Sequence, residues 1–222
     1  DEILSSGFKE QIYNIFQYLN KTTQIGLFSA TLPPELESLT TKMLRDPVTI
    51  LVKKEQVTLD GIKQYYVGVD TDDDKSAMIQ DIFSVISMSQ CIIYCNSIDR
   101  VDSLFNVMNG NGHPVIKIHS DMSEHERKES FIDFKAGKAR VLIATDLFAR
   151  GIDIQQVSYV INFDIPKNVH TYIHRIGRSG RWGRKGVGIN LLSRKDQSRL
   201  KDIETYYSTI IDEMPMNFAD SV

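Results

Sequence analysis

The stretch "NVHTYIHRIGRSGRWGRKGVGINLL", from Asn168 to Leu192, joins a helical pattern to a strand through a turn rich in arginine and glycine. Its first part, "NVHTYIHRIG", has the spacing of an amphipathic helix, and its last part, "GVGINLL", is an apolar run of strand length. Apolar strands that alternate with amphipathic helices are typical of a parallel sheet covered on both faces. The stretch therefore predicts one helix–strand unit of an α/β fold.

The same alternation runs through residues 59–222. Further strands are predicted at "IKQYYVGV", "QCIIYC", "PVIKIH", "RVLIAT" and "VSYVINF". Further helices are predicted at "KSAMIQDIFSVI", "RVDSLFNVMN", "SEHERKESFIDFKAG" and "DQSRLKDIETYY". This number of elements can cover both faces of a sheet, so we expect residues 59–222 to form a complete α/β domain.

Residues 1–52 carry fewer elements. Helices are predicted at "FKEQIYNIFQYL" and "PPELESLTTKML", and strands at "QIGLFSAT" and "PVTILV". Two strands and two helices are too few to bury both faces of such a sheet, so this region is expected to be the end of another domain. The polar stretch "KKEQVTLDG" follows, and residues 53–58 are the predicted linker.

Composition favours a soluble globular protein. The chain has 222 residues, 41% hydrophobic and 25% charged content, and a net charge of −3. No apolar run reaches the ~18 residues that a membrane helix requires, so no membrane association is expected.

Cys91 and Cys95 lie on one face of a predicted strand at a spacing unsuited to a disulfide. They favour reduced thiols in a cytoplasmic or nuclear protein over metal binding or redox chemistry.

A basic patch lies between Lys167 and Lys185, where two lysines and four arginines occur without an acidic residue. Because the overall charge is slightly negative, a nucleic-acid partner would have to bind a local patch of this kind. A solvated basic loop is the alternative interpretation. A disordered Arg/Gly tail fits less well, because the patch lies between strongly patterned segments.

Polar clusters follow several predicted strands. They are "SAT" (Ser29 to Thr31), "NS" (Asn96 and Ser97), "HSD" (His119 to Asp121) and "TDLFARGID" (Thr145 to Asp153). In open α/β sheets, ligands bind at the carboxyl ends of the strands. The clusters therefore predict a polar rim suited to a phosphate-rich ligand.

In this order, "SAT", "TDLFARGID" and "HRIGRSGRWGRKG" resemble motifs III, V and VI of the DEAD-box RNA helicases. The resemblance covers the whole chain, and the text around these motifs is most similar to the translation initiation factor 4A branch. The opening "DEILSSGF" resembles the text after the D-E-A-D box, with Asp1 as its last aspartate. The resemblance implies a RecA-like parallel sheet sandwiched by helices, of the P-loop NTPase-type helicase C-terminal domain, at residues 59–222. Residues 1–52 would be a fragment of a second RecA-like domain, the ATP-binding domain.

The resemblance also implies roles for individual residues. The predicted catalytic residues, which would act as arginine fingers on ATP, are Arg178 and Arg181. The predicted cofactor-binding residues are Asp153, Gly151, Arg178 and Arg181. The predicted RNA-binding residues are Asn96, Ser97, Arg127 and Thr145. The residues predicted to couple the two lobes are Ser29, Thr31, Arg150, His174 and Arg175, of which the last two would contact motifs of the other lobe.

The sequence lacks the phosphate-binding loop G-x-x-x-x-G-K-[ST], because Gly137-Lys138 is followed by Ala139. ATP with Mg²⁺ is therefore expected to bind mainly to the other lobe, and this chain alone is not expected to hydrolyse ATP. His170 and His174 have the spacing of zinc ligands but lack the glutamate of H-E-x-x-H, so no metal site is predicted.

The sequence departs from the family pattern at four places, where Glu124 replaces Gln, Ser97 replaces Thr, Ser120 replaces Gly and Trp182 replaces Phe. None is a finger residue, so these departures bear on RNA affinity.

Expected partners are single-stranded or short duplex RNA and scaffold proteins of the initiation-factor 4G type, and a monomer is expected. A non-catalytic RNA-binding or scaffold module and a DNA helicase of the same superfamily are the alternative functions.

Overall fold

The computed structural model describes residues 8–29, 40–41, 43–51, 61–85, 90–146, 157–180 and 185–218. The chain divides into two compact units, residues 1–52 and 53–222. In the first unit, helix α1 spans Lys9–Tyr18, which confirms the predicted helix.

Among the described residues of the first unit, none is buried. Residues 24–29 and 47–51 form no strand, so the two strands predicted here are wrong for the described positions. A strand requires a neighbour that pairs with its backbone groups, and no described residue of this unit provides one. Phe28 is 96% exposed as a result. The interpretation of this unit as part of a larger domain stays a prediction.

The described part of the second unit contains one sheet of seven parallel strands in the order β3-β4-β2-β5-β6-β1-β7. The strands are β1 Ile62–Gly68, β2 Cys91–Tyr94, β3 Val115–Ile118, β4 Val141–Ala144, β5 Tyr159–Asn162, β6 Gly186–Leu192 and β7 Asp212–Glu213. The helices are α2 Lys75–Val85, α3 Ile98–Gly110, α4 Glu124–Lys135, α5 Val169–Ile176 and α6 Gln197–Tyr207, the last preceded by a 3₁₀ turn at Arg194–Asp196.

All strands and helices predicted for residues 59–222 are present. Strand β7 is not predicted by the sequence pattern, because its residues Asp212 and Glu213 are exposed and carry no apolar pattern. This strand forms because it pairs with Tyr65 and Tyr66 of β1. Tertiary pairing, and not local propensity, therefore creates it.

Two hydrophobic cores cover the two faces of the sheet. Alternate residues of β2 point to opposite faces, so that Cys91 and Ile93 pack with α2 and α3 while Ile92 and Tyr94 pack with α4, α5 and α6. Cys91 and Cys95 are both buried and free of a disulfide, which confirms the prediction of buried thiols. Burial raises the pKa of both thiols well above the ordinary value.

Helix α4 begins with a capping box. The Ser123 hydroxyl accepts a hydrogen bond from the Glu126 backbone N–H at 3.3 Å, and the Glu126 carboxylate accepts one from the Ser123 backbone N–H at 2.8 Å. This start places Glu124 and Arg127 just beyond the carboxyl end of β3. In the described part of the chain, no helix is long and apolar enough to cross a membrane.

Strand β6 begins at a glycine that has no room for a side chain. The Gly186 backbone N–H donates to the Gly61 carbonyl at 2.7 Å. A Cβ at this position would lie 2.6 Å from the Ser179 Oγ and equally close to the Gly180 backbone nitrogen. The turn after α5 is therefore packed directly against the start of β6.

We expect the Gly186→Ala substitution to lower the free energy of unfolding by about 1–3 kcal/mol, as overpacking does. Gly68→Ala, at the end of the neighbouring strand, is the matched control because its Cβ would meet no atom within 4 Å. Urea unfolding of both variants checks the prediction. An equal loss of stability at the two glycines would contradict it.

Candidate functional site at the carboxyl edge of the sheet

Polar residues follow three neighbouring strands at one edge of the sheet. Asn96 and Ser97 follow β2, Thr145 and Asp146 follow β4, and Asp164 follows β5. These strands are adjacent in the order β4-β2-β5 and run parallel, so their carboxyl ends meet at the same edge. The structure thus brings together residues that are far apart in the sequence.

The strand connections open a crevice at this edge. Helix α3, which follows β2, packs on one face of the sheet, and helix α5, which follows β5, packs on the other. Adjacent strands whose helices leave to opposite faces form a topological switch point, where α/β proteins bind their ligands. Asn96 and Asp164 lie at the carboxyl ends of these two strands.

The guanidinium of Arg175 lies below this crevice with 0% of its side chain exposed. Its Nε and Nη2 donate to the two carboxylate oxygens of Asp146. Its Nη1 donates to the Asn162 Oδ1 at 3.1 Å and to the Asp164 carbonyl at 2.7 Å, and its Nη2 also donates to the Asn96 Oδ1 at 2.8 Å. All five N–H groups of the guanidinium are therefore engaged.

The resemblance implies that the side chain of Arg175 contacts the other lobe, and this role stays a prediction. In the described part of the chain, the hydrogen-bond partners of the guanidinium lie within the second unit. Asp146, which pairs with it, is 44% exposed. His174 is buried as well, and Ser29 is an exposed residue of the first unit.

The turn after α5 holds Arg178. The Arg178 backbone N–H donates to the Arg175 carbonyl at 3.1 Å, and its Nε donates to the His174 carbonyl at 3.1 Å. Gly180 has a φ of +71°, a conformation that favours glycine. A Cβ at Gly177 would lie 2.8 Å from the Ile173 carbonyl oxygen. Gly177 and Gly180 therefore serve the packing and the turn of the chain itself, beside a partly exposed Arg178.

The predicted RNA-binding residues lie at the same edge. Ser97 is exposed at the N-cap of α3, where its hydroxyl makes no capping hydrogen bond. Thr145 is half-buried, and Arg127 donates from Nη1 to the Ser120 carbonyl at 3.3 Å. The first residue of α4, Glu124, is exposed one turn before Arg127, so its carboxylate lies on the helix face that carries this arginine.

Asn96 is more strongly engaged in the protein than the sequence indicates. Its backbone N–H donates to the Asp164 carboxylate at 2.9 Å and its Nδ2 donates to the Ile165 carbonyl at 2.9 Å. Its Oδ1 accepts from Arg175. Asn96 therefore joins the turns after β2 and β5 through its own hydrogen bonds. The other predicted site residues, Thr31, Arg150, Gly151, Asp153 and Arg181, lie outside the described residues.

A charge network that the sequence analysis missed lies beside the crevice. The Lys75 side chain is 1% exposed, and its Nζ lies 2.9 Å from an Asp196 oxygen, 3.0 Å from an Asp72 oxygen and 3.8 Å from an Asp164 oxygen. Arg100 pairs with Asp72 and Asp164, each at 2.7 Å. Asp72 and Lys75 are three residues apart, but Arg100, Asp164 and Asp196 are distant from them and from one another in the sequence, so no local signal reveals the network.

The network shifts the pKa values of its carboxyl groups. Burial opposes ionisation of Asp72, but hydrogen bonds from Lys195 and Lys75 and the charge of Arg100 outweigh it and lower the pKa of this group. Burial also opposes ionisation of Asp196, and hydrogen bonds from Ser193 and Lys75 lower its pKa. Both carboxylates are therefore charged at neutral pH.

Comparison with known proteins defines the class of the second unit. Residues 74–183 match the family described as helicase conserved C-terminal domain. The solved C-terminal domain of the DEAD-box protein Dbp5 is 34% identical, with a TM-score of 0.66 over 73% of this chain and 95% of that chain. The E. coli DEAD-box protein SrmB, solved bound to regulator of ribonuclease activity A, is 32% identical, with a TM-score of 0.64 over 71% of this chain and 93% of that chain. The chain belongs to the DEAD-box protein family, and the parallel sheet and helices of its second unit have the predicted RecA-like fold.

Curated relatives match the whole chain. The ATP-dependent RNA helicase fal-1 of Neurospora crassa and the ATP-dependent RNA helicase eIF4A of Phaeosphaeria nodorum are each 50% identical over 100% of it. The chain spans 56% of the length of each. S. cerevisiae Dbp5, solved bound to RNA and ADP BeF3, is 33% identical, with a TM-score of 0.89 over 96% of this chain and 56% of that chain.

We expect Lys75→Met to lower the free energy of unfolding by about 3–5 kcal/mol, because removal of one member of a buried ion network leaves uncompensated charges. Lys138→Met is the matched control, since the pair between Lys138 and Asp133 is largely exposed. Its loss is expected to stay below about 1 kcal/mol. Chemical unfolding at neutral pH measures both values, and a loss at Lys75 as small as the loss at Lys138 would contradict the prediction.

Proposed function

We propose that the protein acts as an ATP-dependent RNA helicase, and that this chain supplies its C-terminal lobe together with the tail of its ATP-binding lobe. Membership of the DEAD-box family and the names of the relatives support this proposal. The observation that carries it is the position of Arg178. Its backbone bonds to Arg175, whose guanidinium contacts the turns that hold the predicted RNA-binding residues.

The RNA side of the site consists of residues at the ends of β2 and β4 and on α4. Asn96, Ser97, Arg127 and Thr145 would bind phosphates and 2′-hydroxyls, which gives affinity without sequence readout. The exposed Ser97 hydroxyl and the N-terminus of α3 suit a phosphate group. Glu124 would weaken this binding, since its carboxylate repels phosphate. Single-stranded or short duplex RNA is the proposed substrate.

The ATP side of the site begins at the turn after α5. The described residues fit the phosphate end of a nucleotide, because Arg178 is partly exposed and Gly180 turns the chain sharply beside it. Bound ATP with Mg²⁺ supplies the phosphoryl group that is transferred to water. Arg178 and Arg181 would donate rigid, forked hydrogen bonds to the charge that develops during transfer. Asp153 and Gly151 would hold the nucleoside part.

Coupling between the two ligands would occur as the lobes close. Ser29, Thr31, Arg150 and His174 are the proposed coupling residues, and Arg175 would contribute indirectly through Asp146. Closure would bring Arg178 against the nucleotide and bend the bound RNA, so that a short duplex is strained apart.

The cellular role proposed for the protein is that of the initiation factor 4A branch. Relatives named eIF4A and relatives named FAL1 match this chain with the same identity, 50%. A monomer that works in the cytoplasm, or in the nucleus, with scaffold proteins of the initiation-factor 4G type fits this branch.

We expect Arg178→Ala in the whole protein to lower RNA-stimulated ATP turnover by about 10³-fold or more, the effect of removing an arginine finger. RNA affinity should stay largely unchanged, because Arg178 is not among the proposed RNA contacts. Phosphate release and fluorescence anisotropy with labelled RNA measure the two quantities.

Arg194→Ala provides the matched control, since it removes the same charge from a side chain that is 84% exposed and lies 3.8 Å from Asp70. This variant should retain both activities. Equal turnover in Arg178→Ala and the unaltered protein would refute the finger role. If the unaltered protein shows no RNA-stimulated ATP turnover, that result would favour the alternative function, a non-catalytic scaffold module.

A further inference from the structure

Asn162, the last residue of β5, is completely buried between two polar partners. Its Oδ1 accepts a hydrogen bond from the Arg175 Nη1 at 3.1 Å. Its Nδ2 donates to the Asn190 Oδ1 at 2.8 Å. Asn162 lies outside every motif that the sequence analysis identified, and the proposed function gives it no role.

The orientation of the Asn162 carboxamide is determined by its neighbours. The Asn190 Nδ2 donates to the Tyr65 carbonyl at 2.9 Å and to the Tyr172 hydroxyl at 3.3 Å, so the Asn190 oxygen faces Asn162. The Asn162 nitrogen must then face Asn190, and its oxygen must face Arg175. Because a guanidinium offers only donors, this arrangement satisfies both sides.

A buried polar side chain at position 162 does not by itself stabilise the sheet. The neighbouring strand positions in register with Asn162 are Tyr94 of β2 and Asn190 of β6, and all three side chains are fully buried. Burial of an amide is costly unless it is hydrogen-bonded, and an apolar residue would fill a central strand at lower cost. Of the two partners of Asn162, only Arg175 is charged, and the Asn162 oxygen helps to satisfy this buried guanidinium.

Arg175 in turn connects the RNA side of the proposed site to its ATP side. It contacts Asn96 and Asp146, which adjoin the proposed RNA contacts Ser97 and Thr145. Its carbonyl also accepts the backbone N–H of Arg178. A rotation of the guanidinium would thus change the position of the turns after β2 and β4 relative to Arg178, the proposed arginine finger.

We propose that Asn162 is a positioning residue that couples RNA binding to ATP hydrolysis, because it holds the Arg175 guanidinium in the orientation that links the RNA-side turns to Arg178. This inference rests on the proposed helicase function. Asn162 itself touches neither RNA nor ATP. Its loss should therefore lower the response of turnover to saturating RNA and leave unstimulated turnover unchanged.

The test compares variants of the whole protein. The quantity measured is the stimulation factor, which is the ratio of kcat at saturating RNA to kcat without RNA. Asn162→Ala should lower this factor by about tenfold, as the loss of a partner that orients an active-site group does. Asn162→Val, with a side chain suited to a strand, replaces the alanine variant if that variant does not fold.

Tyr172→Phe is the matched control. It removes a hydroxyl from the same buried chain of hydrogen bonds, where Tyr172 donates to the Gln64 Oε1 at 2.8 Å, but it leaves Arg175 untouched. Its stimulation factor should equal that of the unaltered protein, while thermal unfolding shows that both variants are folded at the assay temperature.

Each outcome decides the inference. A lower factor in Asn162→Ala, with a normal factor in Tyr172→Phe, supports it. A normal factor in Asn162→Ala or an equal loss in Tyr172→Phe overturns it while the helicase function stands. An unaltered protein whose ATP turnover does not respond to RNA overturns the proposed function, and this inference with it.

Discussion

The carboxyl edge of the sheet depends on one enclosed guanidinium. A buried charge is tolerated only when it is paired and its hydrogen-bonding groups are satisfied. Arg175 meets this condition with oxygens from the turns after β2, β4 and β5 and from β5 itself. Displacement of any of these turns would leave a donor of the guanidinium unpaired. The requirement for complete pairing therefore fixes the crevice in one arrangement.

Asp164 connects Arg175 to the charge network around Lys75. Its carbonyl accepts from Arg175, while its carboxylate accepts from Arg100 and from the Asn96 backbone. Buried ion pairs are often no more stabilising than well-packed apolar residues of the same size. Arg175 with its partners and the charge network around Lys75 together provide directional contacts between the ends of β1, β5 and β6. The edge that carries the proposed ligand residues is thereby held by these directional contacts as well as by the two cores.

Periodicity predicts the second unit closely, because its strands are apolar on both faces and its helices amphipathic. Strand β6, for example, lies at the predicted residues 186–192. Prediction fails where distant residues decide the structure. Strand β7 forms only against β1, and the burial of Arg175 depends on partners up to 79 residues away in the chain. The strands predicted for the first unit fail for the same reason, since no described neighbour pairs with them.

The buried thiols have a practical consequence. Thiol reagents attack the thiolate, and burial raises the pKa of Cys91 and Cys95 while closing off access to both sulfurs. In the folded state this chain is therefore nearly inert to maleimide dyes and spin labels, although it contains two cysteines. A single cysteine introduced at an exposed position would carry the only reactive label on the chain. The two native cysteines of this chain would therefore not compete with such a label.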